Sequence, residues 1–241
     1  MSISILTIVL YGFIPAVFMI IGGSIGSFYS LGATAKSVTQ HFVSGIVFAA
    51  VAVDLLPKIL ATNSPVTVGG GFLVGVIVML VMMELTHRLE HHDEESRNNK
   101  LPAGLLSAVG IDVFVDGILI GISFVAGKQS GVLITIALTT CVFFLGLATS
   151  SILKDRQIAS AQRLIWLTGL AISIPLGAFI GSTIINSLPA NWLTETLAFG
   201  VAALLYLGAE ELLVEAHKEK DSPWITSAFF LGFLAILLLK L

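Results

Sequence analysis

Long apolar runs broken by short polar links dominate this chain. Eight runs stand out, at residues 3–28, 39–61, 66–87, 102–126, 131–153, 164–186, 192–216 and 223–241. About 20 apolar residues in helical form cross the hydrocarbon of a bilayer, and each run is long enough. Polar residues sit between the runs rather than along one face of them, so a soluble core with solvated outer faces is excluded. The pattern predicts an all-α polytopic membrane protein. It has one transmembrane domain over residues 1–241 and a short loop at about 88–101.

Composition agrees. Apolar residues make up 56% of the chain, charged residues 11%, and the mean hydropathy is +1.00. A soluble domain carries roughly 25% charged residues. The first 35 residues hold no Lys or Arg. The first span therefore lacks the basic start of a cleaved signal peptide and is expected as a mature helix. Cys141 is the single cysteine, so no internal disulfide is expected, and a net charge of −3 points to no nucleic-acid partner.

The basic residues divide unevenly between the two sides. Lys36, Arg88, Arg97, Lys100, Lys154, Arg156, Arg163, Lys218 and Lys220 fall on one side, against Lys58, Lys128 and Lys240 on the other. Cytoplasmic connections are the Lys- and Arg-rich ones. The richer side is predicted to face the cytoplasm, with both termini outside.

The fourth span contains two acids, in the stretch Gly110-Ile111-Asp112-Val113-Phe114-Val115-Asp116-Gly117. Asp112 and Asp116 are four apart, so a helix stacks them on one face. A carboxylate at membrane depth costs at least ~2.5–3.5 kcal/mol, and such residues mark ion or proton paths. Hydrogen-bonded structural acids are the bland alternative. Asp54 is expected towards the outer end of the second span, and Glu211 and Glu215 towards the inner end of the seventh. Glu210 points about 100° away from Glu211. With His217, Glu211 and Glu215 could hand a cation to the cytoplasm, or Glu215 and His217 could simply be solvated by headgroups. His41 opens the second span, as a cap, a surface residue or part of the same pathway. His87, His91 and His92 lie among acids at the end of the third span. They form either a weak metal-collecting patch or a solvated polar loop.

The chain also repeats itself. Phe13-Ile14-Pro15-Ala16 resembles Ser173-Ile174-Pro175-Leu176, and Val53-Asp54-Leu55-Leu56-Pro57-Lys58 resembles Glu210-Glu211-Leu212-Leu213-Val214-Glu215. With eight spans the first and sixth run in opposite directions, so the repeat is inverted, a signature of transporters. Small-residue sets at Gly22-Gly23 with Gly26, Gly69-Gly70-Gly71 with Gly75, and Gly117 with Gly121 predict close helix approach, either for tight packing or for sliding.

In this order and spacing the motifs resemble the ZIP (Zrt/Irt-like protein) family of divalent-metal transporters over essentially the whole chain. The matching stretches are Phe48-Ala49-Ala50-Val51-Ala52-Val53-Asp54-Leu55-Leu56-Pro57, Phe199-Gly200-Val201-Ala202-Ala203 running into Glu210-Glu211-Leu212-Leu213, and Pro175-Leu176-Gly177-Ala178. The resemblance implies a three-two-three helix arrangement with helices 1–3 and 6–8 as inverted repeats. A plasma (cell inner) membrane location is expected, and the sequence leaves the oligomeric state open, with a homodimer as one option. The metal site departs from the family pattern. Its His-Asn-x-x-Glu-Gly in the fourth span is replaced by Asp112, Val113, Asp116 and Gly117. Its fifth-span ligand places hold Cys141, Val142, Phe144 and Leu145, and its sixth-span Glu is Ile174. The set reduces to Asp112, Asp116 and Cys141. Two carboxylates suit hard cations, and a thiolate shifts the preference towards Zn, Fe or Cd.

The leading expectation is therefore a carrier that moves a divalent cation (Zn, Fe, Mn or Cd) by alternating access. That cation is its substrate, the lipid bilayer its other partner, and no organic cofactor is needed. A ZIP-like carrier of protons or a non-metal solute is the alternative. An intramembrane hydrolase is disfavoured, because no His-Glu-x-x-His occurs and Ser123 has no evident histidine partner.

Overall fold

The computed structural model describes residues 4–29, 32–95, 101–187, 192–220 and 222–240; the side chains of 89–95 and 185–186 lie outside that description. Among the described residues all regular structure is helical, and eight helices are long and apolar enough to cross a membrane. They are α1 (Ile5–Phe28), α2 (Ala33–Leu60), α3 (Pro65–Glu95), α4 (Ala103–Val125), α5 (Lys128–Asp155), α6 (Ser160–Ser187), α7 (Leu193–Ala216) and α8 (Pro223–Lys240). Each predicted run coincides with one helix.

The largest differences are at polar ends. α2 begins six residues before the predicted start at 39, because Ala33-Thr34-Ala35-Lys36 continues the helix beyond its apolar stretch. α3 likewise runs on through His91 and His92 to Glu95, well into the stretch expected to be loop. Hydropathy reports where a helix meets lipid, not where its hydrogen bonds stop.

The helices divide into two compact units. One takes Met1–Ser30, Leu80–Gly121 and Leu138–Ile184; the other takes Leu31–Met79, Ile122–Ala137 and Ile185–Leu241. In the first unit α4 and α6 meet along facing small-residue seams. A methyl group at Gly117 would lie 3.0 Å from Gly177 Cα, and one at Gly121 would lie 2.6 Å from Ala178 O. From the other side, Gly181 is closed off by Ile118 O at 2.6 Å. The Gly117-x-x-x-Gly121 spacing is thus met by Gly177-x-x-x-Gly181, and these glycines bring the two helices into close approach. α1 approaches α5 in the same manner: Gly22 and Gly26 lie against the carbonyls of Phe143 and Leu147, and Gly146 lies against that of Met19.

The second unit is built likewise. Gly45 of α2 packs on the Phe229 carbonyl of α8, and Gly232 of α8 packs on the Phe42 carbonyl of α2. Gly71 and Gly75 of α3 meet Glu195 and Phe199 of α7, whereas Gly69 and Gly70 face open space.

Two helices depart from α geometry at their acids. α2 widens to a π turn over Val51–Leu55, which contains Asp54, and α7 does so over Leu207–Leu212, which contains Glu210 and Glu211. In α2 the cause is local. Pro57 has no N–H to give and its ring would crowd the carbonyl four residues back. The wider turn absorbs the mismatch, with Leu56 N–H donating to Val51 O. α7 has Val214 where α2 has Pro57 and widens nonetheless; nothing in its local sequence accounts for it. Aligning Asp54 with Glu211 sets 51–55 on 208–212, inside the second π turn.

Candidate transport site

Asp112 and Asp116 lie in the middle of α4, one turn apart, in the first unit. Asp116 is buried at 2% exposure, and Asp112 is partly buried. Gly117, beside Asp116, is held against the Ile174 carbonyl of α6, so the glycine seam fixes the segment that carries the acid. Cys141 of α5 is a buried cysteine outside any disulfide, in the same unit. Among the described residues no three His, Cys, Asp or Glu side chains gather closely enough to hold a metal. Asp112, Asp116 and Cys141 therefore do not form a ready three-ligand cluster here.

Asp54 lies in the second unit, towards the C-terminal end of α2. It is buried at 1% exposure, and both its oxygens face ammonium groups. Lys240 Nζ lies 2.5 Å from Oδ1 and Lys58 Nζ lies 3.2 Å from Oδ2. Lys58 also donates to Ser130 Oγ at the start of α5. These two lysines are two of the three basic residues assigned to the outer side, so that end of the unit carries more positive than negative charge.

The opposite end of the second unit holds a histidine pair. His41 is fully enclosed rather than a cap or surface residue, since the early start of α2 places it two turns inside the helix. Its ring centroid is 5.1 Å from that of His217 at the end of α7. His41 Nδ1 is 2.9 Å from Ser37 O, and His217 Nδ1 is 2.5 Å from Leu213 O. A carbonyl can only accept, so each Nδ1 carries the proton and Nε2 is the basic nitrogen of the neutral ring. Ser37 Oγ donates to Ala216 O, tying the two helices together beside the pair. Glu215 binds Lys36 and Lys218, each at 2.5 Å. It is a neutralised carboxylate in this arrangement. Glu211 is partly buried and Glu210 exposed.

His87 is exposed on α3, within the turn that the Arg88–Glu84 ion pair spans. The side chains of His91 and His92 lie outside the described residues.

Three features escaped the sequence reading. The π turns have no shared local signature. The lysine partners of Asp54 could be half guessed, because Lys58 is four residues on and faces the same side of the helix; Lys240 could not. The pairing of His41 with His217 was hidden because the start of α2 was placed too late.

The acids sit on α2, α4 and α7, helices that are more than half buried along their apolar stretch, while α3 and α8 are less than a quarter buried. Intramembrane acids on sheltered helices are the arrangement of an ion-handling membrane protein. Curated protein sequences give no match to the chain. The family profile of the ZIP zinc transporter matches residues 86–240, well over half of the sequence. With eight membrane-spanning helices and this match, the chain belongs to the ZIP zinc transporter family, a family of membrane metal transporters.

Proposed function

We propose that this transporter moves one divalent cation of the Zn, Fe and Mn class across the plasma membrane by alternating access. Asp112 and Asp116 are its main ligands, and both termini lie outside. The carrying observation is Asp116, a carboxylate buried at 2% exposure in the middle of a membrane span with Asp112 one turn away. Such a pair is costly unless it serves a cation or a proton. Cys141 is the softer third ligand when the site closes, and water completes the shell, as suits a site that must release its ion. The π turns at matching places of α2 and α7 support the inverted repeat, and with it the three-two-three arrangement and alternating access. At the other end of the second unit, His41 and His217 offer nitrogen ligands for release. A homodimer is the assembly included in this reading.

The test is uptake into proteoliposomes across Mn²⁺, Fe²⁺, Co²⁺, Zn²⁺, Cd²⁺ and Mg²⁺, with Asp116→Asn as paired control. Saturable uptake that the substitution abolishes is expected. Normal uptake by Asp112→Asn and Asp116→Asn would sink the ligand assignment.

A second reading has its own observation. No three-ligand group is present among the described residues, and Val142 and Ile174 are apolar where the family places ligands. On that basis the acids would relay protons or serve a non-metal solute. Flat traces for every metal in folded protein would favour this reading.

A further inference from the structure

Arg163 is the least explained charge in the first unit. It lies in the first turn of α6, is only 5% exposed, and its Nε is buried without a hydrogen-bond partner among the described residues. Its one hydrogen bond there runs backwards along the helix, Nη2 donating to Ser160 Oγ at 2.7 Å. The guanidinium is therefore folded over the N-terminal end of α6. Burying a guanidinium with so little compensation is unfavourable unless an anion joins it.

The same helix end supplies further donors. Arg163 N–H bonds back to Ala159 O at 3.0 Å, so the amides before it point out of the helix with no partner within it. Unpaired amides and the helix dipole together favour an anion. The turn that presents them is well fixed. Gln157 N–H donates to Lys154 O at 2.9 Å and Ile158 N–H donates to Leu153 O at 3.1 Å, the paired bonds of a Schellman ending. Ile158 and Leu153 pack together with Leu106 beneath it.

The surroundings identify the anion. From 154 to 163 the chain carries Lys154, Arg156 and Arg163 against one acid, Asp155. Immediately beyond, Leu164, Ile165 and Trp166 are 43%, 69% and 42% exposed at the end of a membrane span. Large exposed apolar residues with a tryptophan at the end of a span belong at the level where acyl chains give way to headgroups. From these placements we infer that the first turn of α6 binds the phosphate of a phospholipid, held by the Arg163 guanidinium and the amides at the helix end.

The test uses full-length protein in detergent and native mass spectrometry, with dioleoyl phosphatidylglycerol, dioleoyl glycerol (same chains, no phosphate) and inorganic phosphate as separate probes. Wild type should retain phosphatidylglycerol about tenfold more than Arg163→Met at the same lipid concentration, and should not retain dioleoyl glycerol. Ser160→Pro removes the hydroxyl and one amide while suiting a helix start, and should lower retention several-fold in a folded protein. That variant decides the matter if Arg163→Met does not fold. Equal retention of the two lipids, or retention unaffected by Ser160→Pro, would overturn the assignment. Stabilisation by inorganic phosphate equal to that by the lipid would overturn the lipid source. Retention of no lipid, with a melting point that falls when Glu90, Asp93, Glu94 and Glu95 are made amides, would assign Arg163 to those carboxylates instead.

Discussion

Lys240 Nζ lies 2.5 Å from Asp54 Oδ1, so a residue of α8 neutralises a carboxylate buried in α2 at a sequence separation of 186. Lys58 approaches the other oxygen, and both lysines are partly exposed while the acid is not. Removing one partner of a fully buried ion pair costs about 3–5 kcal/mol. Here the second lysine remains and Lys240 is a quarter exposed, so Lys240→Met should cost about 1–2 kcal/mol. Lys58→Met with Lys240→Met should cost more than the sum of the single changes, because the acid is then buried alone. Adding Asp54→Asn should restore most of the loss. Melting in detergent checks all four proteins, and a double variant no worse than additive would show that the pairs are worth little.

The α4–α6 seam gives a sharper test of packing. Gly→Ala at an open helical position gains up to about 1 kcal/mol, while overpacking costs ~1–3 kcal/mol. Gly70 is open, and Gly117 lies against backbone of α6. Gly70→Ala should raise the melting temperature slightly and Gly117→Ala should lower it by several degrees.

Gln157 holds φ at +58°, the left-handed residue that closes α5. A side chain there costs about 1 kcal/mol that glycine avoids. Gln157→Gly should therefore stabilise the protein by roughly that amount. An unchanged or lower melting temperature would mean that the Gln157 side chain makes a compensating contact.

His217 is exposed and its ring faces the enclosed His41. Because little is packed around it, His217→Ala should leave stability within ~0.5 kcal/mol. If the pair passes the cation on, the variant should slow proteoliposome uptake several-fold. Uptake at the wild-type rate would remove His217 from the path.

Much of this was legible from residue types alone. The eight spans and the Asp112/Asp116 pair could be read because lipid enforces composition over twenty residues at a time. Gly117 and Gly121 were readable as an approach surface, but not their partners Gly177 and Gly181. What stayed hidden depended on distance or on hydrogen-bond register. Lys240 meets Asp54 only after the chain has folded. His41 lay deeper than expected because a polar helix end carries no hydropathy signal. The π turn of α7 has no proline to announce it.

Those wider turns also change what a single helix can do. One additional residue is accommodated within each, so the side chains before and after it fall on stripes rotated by roughly 100°. α2 and α7 are each two half-helices out of phase, joined without a break. Up to residue 50, α2 sets Gly45 against α8 and Ser44 on the Gly208 carbonyl of α7; within the step it delivers Asp54 to Lys240, and past it Lys58 reaches back to the same acid. Deleting one residue from the step would rewind the turn to ordinary α geometry and leave the helix continuous. It would also swing one half relative to the other, so that the glycine contacts and the lysine contacts could no longer be made by the same α2.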